Sequence, residues 1–194
     1  HIKGVGRLSQ AARAPVYASP EVNLDISGGR PVFERRDLNC GETLKIGAVE
    51  IQSFPLHHDS PGAQSFGLRS GDSSATIMTD TGAVSAQMHA IAQETQILFL
   101  ESNYCSVMLD SGPYPAFLKR RIRSDSGHLS NDAAIAFLNE LSLSPVLERV
   151  YFCHLSDVNN DPEVLSAAVH ADLSWQAEWA ICRKNEFVPV GATI

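Results

Sequence analysis

The segment from Ala75 to Gly82, Ala-Thr-Ile-Met-Thr-Asp-Thr-Gly, constrains the fold more than any other part of the chain. Its first five residues are apolar or β-branched, which is typical of a buried strand, and Gly82 permits a sharp turn where that strand ends. Asp80 is therefore expected at a strand end, where a carboxylate is costly unless it meets a cation or hydrogen-bond donors. Three roles fit this position: a metal-bridging ligand, the Asp-Thr-Gly of an aspartic protease, or a structural cap of the next helix.

The aspartic-protease hypothesis makes a demand on the rest of the chain. Such a site needs two aspartates that share one proton, supplied by two matching halves or by a symmetric dimer. The second half of this chain is rich in predicted helices, and it does not resemble a repeat of the first half. The metal-bridging and structural roles of Asp80 therefore remain to be separated by the other residues.

Length and composition predict one globular domain spanning residues 1–194. Hydrophobic residues make up 44% of the chain and charged residues 19%, which is enough apolar surface for a core. A net charge of -7 argues against indiscriminate binding to nucleic acid or to anionic membranes. No apolar run is long enough to cross a bilayer, and no signal-peptide pattern is present. The four cysteines form no Cys-x-x-Cys pair, which favours reduced thiols and a cytoplasmic location.

The order of the predicted elements indicates an α/β sandwich with helices outside the sheets. An apolar repeat at residues 2, 5 and 8 predicts a first helix that ends near Ala14, because Pro15 disfavours helix in the residue before it. A short strand follows at residues 16–18, and the polar residues 23–41 are expected to run over the surface. Later strands are predicted at 44–54, 66–69, 74–80, 96–100, 146–153, 175–182 and 187–190, and helices at 84–93, 116–122, 131–141 and from 162. Ser130 and Asp161 are the predicted caps of the last two helices.

Three polar residues fall where predicted strands give way to loops. His58 lies in the loop after the strand at 44–54, Asp80 ends its strand, and His154 follows the buried strand at 146–153. Imidazole and carboxylate are ligands that suit zinc or manganese, and a bridging carboxylate lets two cations share one site. Two such cations, about 3.5–4 Å apart, can hold a hydroxide and stabilise the leaving oxygen of a phosphodiester. Each histidine alone is weak evidence for a ligand; their shared position favours a metal site, and composition does not separate it further from a structural role.

Several motifs of the chain resemble those of the metallo-β-lactamase superfamily. The segment His1-Ile2-Lys3-Gly4-Val5 resembles the end of the His-x-His-x-Asp-His motif, and His1 takes the place of its last histidine. The third motif resembles His58-Asp59-Ser60-Pro61-Gly62, the fourth Thr79-Asp80-Thr81-Gly82, and the fifth Phe152-Cys153-His154-Leu155-Ser156. The resemblance implies a metallo-β-lactamase-like αββα sandwich that lacks its first strands. It also implies that the chain is truncated just before His1.

Further segments are similar to the bacterial YycJ (WalJ)-like branch of that superfamily, whose members are known or proposed DNA exonucleases, distantly similar to ribonuclease Z. They are Leu100-Glu101-Ser102-Asn103, Gly112-Pro113-Tyr114-Pro115, Leu118-Lys119-Arg120-Arg121-Ile122 and Gly127-His128-Leu129-Ser130-Asn131. The chain departs from the branch at Tyr104-Cys105, where close relatives commonly carry His-Asp. The adjacent His57 leaves open which imidazole coordinates, and His58 is favoured because it aligns with the motif histidine.

The resemblance implies a role for each candidate residue. One divalent metal ion is expected on His58 and Asp80 with two histidines from upstream, and a second on His1, Asp80 and His154 with an upstream aspartate. Both metal ions are expected to be zinc or manganese. Asp80 and His128 are the expected catalytic residues, because His128 resembles a histidine that contacts the scissile phosphate in related nucleases. The expected phosphate-binding residues are Lys119, Arg120, Arg121 and Arg123, and a solvated helix face is the alternative interpretation of this basic cluster.

These observations predict a divalent-metal-dependent hydrolase, a phosphodiesterase or exonuclease that acts on DNA in preference to RNA. The main alternative is a hydrolase of the same superfamily acting on a small-molecule ester, thioester or lactone. Such an enzyme would not need the basic helix, so its activity would survive charge reversal of Arg120 and Arg121. A non-catalytic fragment or binding domain is the third hypothesis, and it predicts that no metal is bound.

Overall fold

The computed structural model describes residues 4–24, 30–141, 144–174, 178–184 and 186. The described helices are α1 (Val5–Ala12), α2 (Ala86–Gln93), α3 (Ser106–Ser111), α4 (Ala116–Arg123), α5 (Asn131–Glu140) and α6 (Pro162–Asp172). The described strands are β1 (Pro15–Ala18), β2 (Glu34–Asp37), β3 (Thr43–Ile46), β4 (Val49–Pro55), β5 (Gln64–Ser70), β6 (Ser73–Met78), β7 (Ile97–Glu101), β8 (Arg149–Cys153) and β9 (Glu178–Ile181). Among these residues, no helix has the length and apolar character needed to span a membrane.

Seven strands form one large sheet in the order β3-β4-β5-β6-β7-β8-β9, so each strand pairs with its neighbour in the chain. The strands from β3 to β6 are antiparallel, and those from β6 to β9 are parallel. Helices connect the parallel strands, as such crossovers require. Strands β1 and β2 form a separate parallel pair. Leu38, the residue after β2, accepts a hydrogen bond at its carbonyl oxygen from Gln64 Nε2 in β5 of the large sheet, at 3.2 Å.

The main core lies between one face of the large sheet and helices α2, α5 and α6. Leu100 pairs with Met78 on one side and with Phe152 on the other, and all three side chains are fully buried. Met88 of α2, Leu138 of α5 and Leu165 of α6 join the same apolar cluster. Burial of a large apolar side chain stabilises the fold by about 1.5–3 kcal/mol relative to exposure. This packing fixes the ends of β6, β7 and β8 relative to one another.

Both predicted helix caps are confirmed. Ser130 Oγ accepts a hydrogen bond from the amide of Ala133 at the start of α5. Asp161 accepts one from the amide of Glu163 at the start of α6, whose first residue is Pro162. Each cap satisfies an amide that has no partner within its own helix.

Several predicted elements are wrong. The single strand predicted at 44–54 is two strands, β3 and β4, because Gly47 adopts a positive φ of 61° and turns the chain between them. The segment predicted to be irregular at 23–41 contains β2, and α3 was not predicted. The strand predicted at 187–190, and the first three residues of the one predicted at 175–182, lie outside the described residues.

Candidate metal centre

Three candidate residues lie at the same edge of the large sheet. Asp80 comes two residues after the end of β6, Glu101 is the last residue of β7, and His154 directly follows β8. Because these strands are parallel and in register, their carboxyl ends meet at one edge, where α/β proteins place their ligands. Strand pairing therefore brings together residues that are far apart in the sequence.

Asp80 and His154 share an unusual backbone conformation. Their φ angles are 61° and 58°, and the only other non-glycine residue with a positive φ in the described chain is Arg13. Such a conformation costs on the order of 1–3 kcal/mol and persists only where the surrounding structure fixes it. Backbone strain therefore marks the two strand ends at which these side chains meet.

The side chains of His58 and His154 converge on one oxygen of Asp80. The distance to Asp80 Oδ1 is 3.7 Å from His58 Nε2 and 3.6 Å from His154 Nε2. The ring of His128 lies between the two, with its centroid 5.3 Å from that of His58 and 5.5 Å from that of His154. The structure thus brings four of the residues singled out in the sequence into one cluster.

The other nitrogen of each converging imidazole has a hydrogen-bond acceptor. His58 Nδ1 lies 3.2 Å from the carbonyl oxygen of Gly127, and His154 Nδ1 lies 2.6 Å from Glu101 Oε1. In the neutral ring, an acceptor at Nδ1 holds the proton there and leaves Nε2 with a free electron pair. Two such electron pairs then face the Asp80 carboxylate, an arrangement that a cation between them would stabilise.

Glu101 is the site residue that the sequence reasoning missed as a functional group. It is fully buried, and its Oε1 accepts hydrogen bonds from His128 Nδ1 at 2.8 Å and from His154 Nδ1. Its Oε2 accepts the amide of Thr81 at 2.8 Å. Burial raises the pKa of Glu101, but these hydrogen bonds outweigh burial and hold the pKa below its usual value.

Glu101 also changes the protonation of His154. Burial of the ring lowers the pKa of His154, whereas the hydrogen bond and the negative charge of Glu101 raise it. The second effect is larger, so the pKa of His154 lies above its usual value. The two groups therefore stabilise each other as an ion pair when no metal is bound.

Interatomic spacing separates possible ligands from hydrogen-bond partners. One ligand atom from each of Asp80, Glu101, His128 and His154 lies within 4.8 Å of the others. Ligands held at about 2.1 Å around a tetrahedral zinc are about 3.4 Å apart. The contacts of 3.6 and 3.7 Å to Asp80 agree with that spacing, but the contacts of 2.6 and 2.8 Å to Glu101 are too short. His58 with Asp80 and His154 with Asp80 therefore each match the spacing of two ligands of one metal ion, and Glu101 fits as the acceptor behind His154.

A family comparison accounts for this geometry. The family profile described as "Beta-lactamase superfamily domain" matches residues 1–155. The chain belongs to this superfamily. The resemblance of the motifs to the metallo-β-lactamase superfamily is therefore confirmed.

The chain is similar to curated proteins that are named exonucleases. It is 32% identical over 173 residues to "Exodeoxyribonuclease YycJ" of Bacillus anthracis, an alignment that covers 87% of this chain and 65% of the relative. It is 34% identical over 170 residues to "Exodeoxyribonuclease WalJ" of Streptococcus pneumoniae, with 84% of this chain and 62% of the relative covered. The chain thus spans less than two thirds of the length of these relatives.

Solved structures confirm the fold class of the superfamily domain. The metallo-β-lactamase fold protein YhfI from Bacillus subtilis superposes with a TM-score of 0.69 at 14% identity, over 94% of this chain and 70% of that one. Zn²⁺-bound PqqB from Methylobacterium extorquens superposes with a TM-score of 0.66 at 15% identity, over 96% and 68%. At these identities the likeness establishes the metallo-β-lactamase-like α/β fold.

The loop that carries His58 is hydrogen-bonded to Arg121 in α4 and to Ser126 in the segment after α4. Arg121 donates from Nε and Nη2 to the two carboxylate oxygens of Asp59, at 2.5 and 2.8 Å. The amide of Asp59 donates to the carbonyl of Ser126 at 3.1 Å. The hydrogen bonds from Arg121 hold the pKa of Asp59 below its usual value. His57, by contrast, is exposed, and its carbonyl accepts the amide of Gly82, so His58 is the imidazole that faces Asp80.

Three of the four predicted phosphate-binding residues have partners within the domain. Arg121 pairs with Asp59, Arg123 Nη2 lies 2.5 Å from Asp110 Oδ1, and Lys119 Nζ donates to the carbonyl of Asp110 at 2.7 Å. Arg120 is exposed and makes no hydrogen bond or ion pair with the described residues. His1, the remaining predicted metal ligand, lies outside the part of the chain that the structure describes.

Proposed function

We propose that this chain forms the metal-binding core of a divalent-metal-dependent phosphodiesterase that removes nucleotides from an end of DNA. The supporting observation is the convergence of His58 Nε2 and His154 Nε2 on one oxygen of Asp80. DNA is the proposed substrate because relatives at 32% and 34% identity are named exodeoxyribonucleases.

His58, Asp80 and His154 are the proposed ligands, and His1 is proposed to join them. Zinc and manganese suit these nitrogen and oxygen donors, and the single Asp80 carboxylate between two imidazoles favours two ions. When bound, the cations would polarise the phosphodiester and make hydroxide available near neutral pH. Gly127 and Glu101 would hold the two imidazoles in the orientation and tautomer that present Nε2.

His128 is proposed to transfer a proton during hydrolysis. Its Nδ1 lies 2.8 Å from Oε1 of the buried Glu101, which accepts the Nδ1 proton and orients the ring. Hydrolysis adds hydroxide to phosphorus and breaks one P–O ester bond. The imidazolium donates its Nε2 proton to the departing oxygen, so that the leaving group departs as an alcohol.

Two open clefts border the cluster and would admit an extended substrate. One has a volume of about 470 Å³ and includes His58 and Asp80 in its lining. The other, of about 540 Å³, includes His154, Arg183 and Lys184.

The test compares full-length protein with an Asp80→Ala variant. Wild-type protein with Mn²⁺ or Zn²⁺ should release nucleotides from 5′-phosphorylated duplex DNA faster than from the matching RNA, and should bind two metal equivalents. Asp80→Ala should lose at least about 100-fold, since residues behind metal ligands alone cost 10–100-fold. Asp72→Ala removes an exposed carboxylate from the turn between β5 and β6 and should be as active as wild type. Equal rates for wild type and Asp80→Ala would reject the proposal, and cleavage of thioesters or lactones without cleavage of DNA would favour the small-molecule alternative.

A further inference from the structure

Helix α4 presents two different faces. Leu118 and Ile122 point inward and pack in a small apolar cluster with Tyr104 and Leu109. The outward face carries Phe117, which is followed at i+3 and i+4 by Arg120 and Arg121. Side chains at these spacings are neighbours on a helix surface. An aromatic ring and two guanidinium groups therefore share one exposed face.

Phe117 is unusually exposed for an aromatic residue. Its relative accessibility is 66%, although Phe is among the residue types most often buried. Single exposed apolar side chains are common and carry no meaning alone. Phe117 differs because it lies beside Arg120, a cation that has no hydrogen bond or ion pair within the described chain. A flat apolar surface beside an available positive charge matches a ligand that has both π faces and negative charge.

The outward face of α4 is also fixed in position next to the candidate metal centre. Arg121 holds Asp59 with two hydrogen bonds, and Asp59 is adjacent to His58 in the chain. His58 in turn contacts the loop after α4 through Gly127. Phe117 lies one helical turn, about 6 Å along the helix axis, before Arg121, the residue that contacts the loop carrying His58.

We propose that Phe117 and Arg120 form a binding site for an unpaired nucleotide of the DNA strand. The ring of Phe117 stacks on a base, and Arg120 contacts the neighbouring phosphate. The inference rests on the proposed function, because it places a nucleic-acid strand beside the metal centre. Contacts with phosphates alone do not depend on the bases. A stacking site adds a preference for a strand whose bases are present and unpaired. The net charge of the chain is -7, so binding of a polyanion would depend on local cationic groups such as Arg120.

The experiment measures strand binding separately from cleavage, with full-length metal-loaded protein and with strands whose phosphorothioate linkages resist hydrolysis. Fluorescence anisotropy gives the dissociation constant for short single-stranded oligothymidylate and for a strand of equal length made entirely of abasic residues. Phe117→Ala should weaken binding of oligothymidylate on the order of tenfold and leave binding of the abasic strand unchanged. Phe117→Trp should restore binding. Arg120→Ala should weaken binding of both strands and reduce the salt dependence of each.

Matched controls come from the opposite end of the large sheet. Ile46→Ala removes another exposed large apolar side chain, one that is 50% accessible, and Arg69→Ala removes another exposed cation. Neither should change binding of either strand. Equal dissociation constants for wild type and Phe117→Ala would overturn the inference, as would an equal loss on the abasic strand.

The two proposals fail in distinguishable ways. Active protein whose binding is insensitive to Phe117 would keep the nuclease proposal and reject the stacking site. Inactive protein that loses oligothymidylate binding specifically in Phe117→Ala would keep the stacking site and reject the nuclease proposal. Protein that neither cleaves nor binds a strand would reject both.

Discussion

Glu101 connects the two imidazoles on one side of the cluster. One oxygen of this buried carboxylate accepts hydrogen bonds from His128 and His154, and the other accepts the amide of Thr81. A glutamine at this position would keep the shape of the side chain, but it would place an amide donor against an imidazole N–H or a backbone N–H. At least one of the three hydrogen bonds would therefore be lost.

The Glu101→Gln variant is expected to lose about 10–100-fold in metal affinity or in kcat, which is typical of acceptors behind metal ligands. In the metal-free protein, removal of the carboxylate should also lower the pKa of His154, because the hydrogen bond and charge of Glu101 raise it more than the charge of Asp80 does. Calorimetric metal titration and NMR titration of the imidazoles would measure the two effects. Glu140→Gln is the matched control, since Glu140 is an exposed carboxylate 3.8 Å from His89. Metal affinity and imidazole pKa values equal to those of wild type would contradict the role given to Glu101.

Sequence reasoning reached some of these residues and not others for a physical reason. Asp80 and His154 were singled out because each follows an apolar strand, where a polar side chain needs a partner. Glu101 also ends an apolar strand, and that was the available signal. Its role depends on the parallel order β6-β7-β8, which places its carboxylate between the other two strand ends. Only tertiary pairing supplies that order.

At the scale of elements, the polar side chains of the loop between β4 and β5 are held by α4 and the segment that follows it. Arg121 on α4 binds Asp59, and the chain after α4 passes so close to Gly82 that a Cβ there would lie 2.2 Å from the carbonyl oxygen of Ser124. The sequence predicted Arg121 to bind phosphate. The contact with Asp59 gives it a second possible role, as a positioning residue for His58.

The Arg121→Ala variant separates these two roles. If Arg121 positions His58, metal affinity should fall about fivefold, while the free energy of unfolding should change by less than about 1 kcal/mol, because the pair is exposed. The exchange of both charges, Asp59→Arg with Arg121→Asp, should restore part of the metal affinity. Arg149, at the opposite end of β8 from His154, forms an ion pair with Glu178 of β9. Arg149→Ala breaks that ion pair and should leave metal affinity unchanged. Loss of DNA affinity with unchanged metal affinity would instead support the phosphate-binding role.

The elements that the sequence missed lack the signals that sequence reasoning uses. Strand β2, Glu34–Asp37, consists of four exposed residues, so no buried face imposes an alternating pattern. Among the strands that the structure describes, it pairs with β1 alone. Helix α3 spans six residues, too few for a clear helical repeat, with a single fully buried side chain at Leu109. By contrast, α5 and α6 were predicted with their caps because each combines an apolar repeat with a capping residue.

At the scale of the whole molecule, the Glu101–His154 pair links the protonation of the site to the stability of the metal-free fold. The pKa of Glu101 is held below its usual value of 4.5, so the unfolded chain binds more protons than the folded protein in that window. Its contribution to stability is therefore complete above pH 4.5 and is lost as the pH falls through the folded pKa. The pKa of His154 is raised above 6.5, so its contribution is complete below pH 6.5 and is lost as the pH rises through the folded pKa.

The metal-free protein should consequently be most stable, as far as this pair is concerned, between about pH 4.5 and 6.5. Glu101→Gln should remove the acid-side contribution directly, and it should remove the alkaline-side contribution because His154 loses the charge that raises its pKa. Urea unfolding in the presence of a chelator, repeated across pH for wild type and variant, gives the difference in free energy of unfolding at each pH. That difference should be largest inside the window and smaller on both sides. A difference that does not change with pH would mean that Glu101 stabilises the fold by packing alone, and that its charge does not affect the protonation of His154.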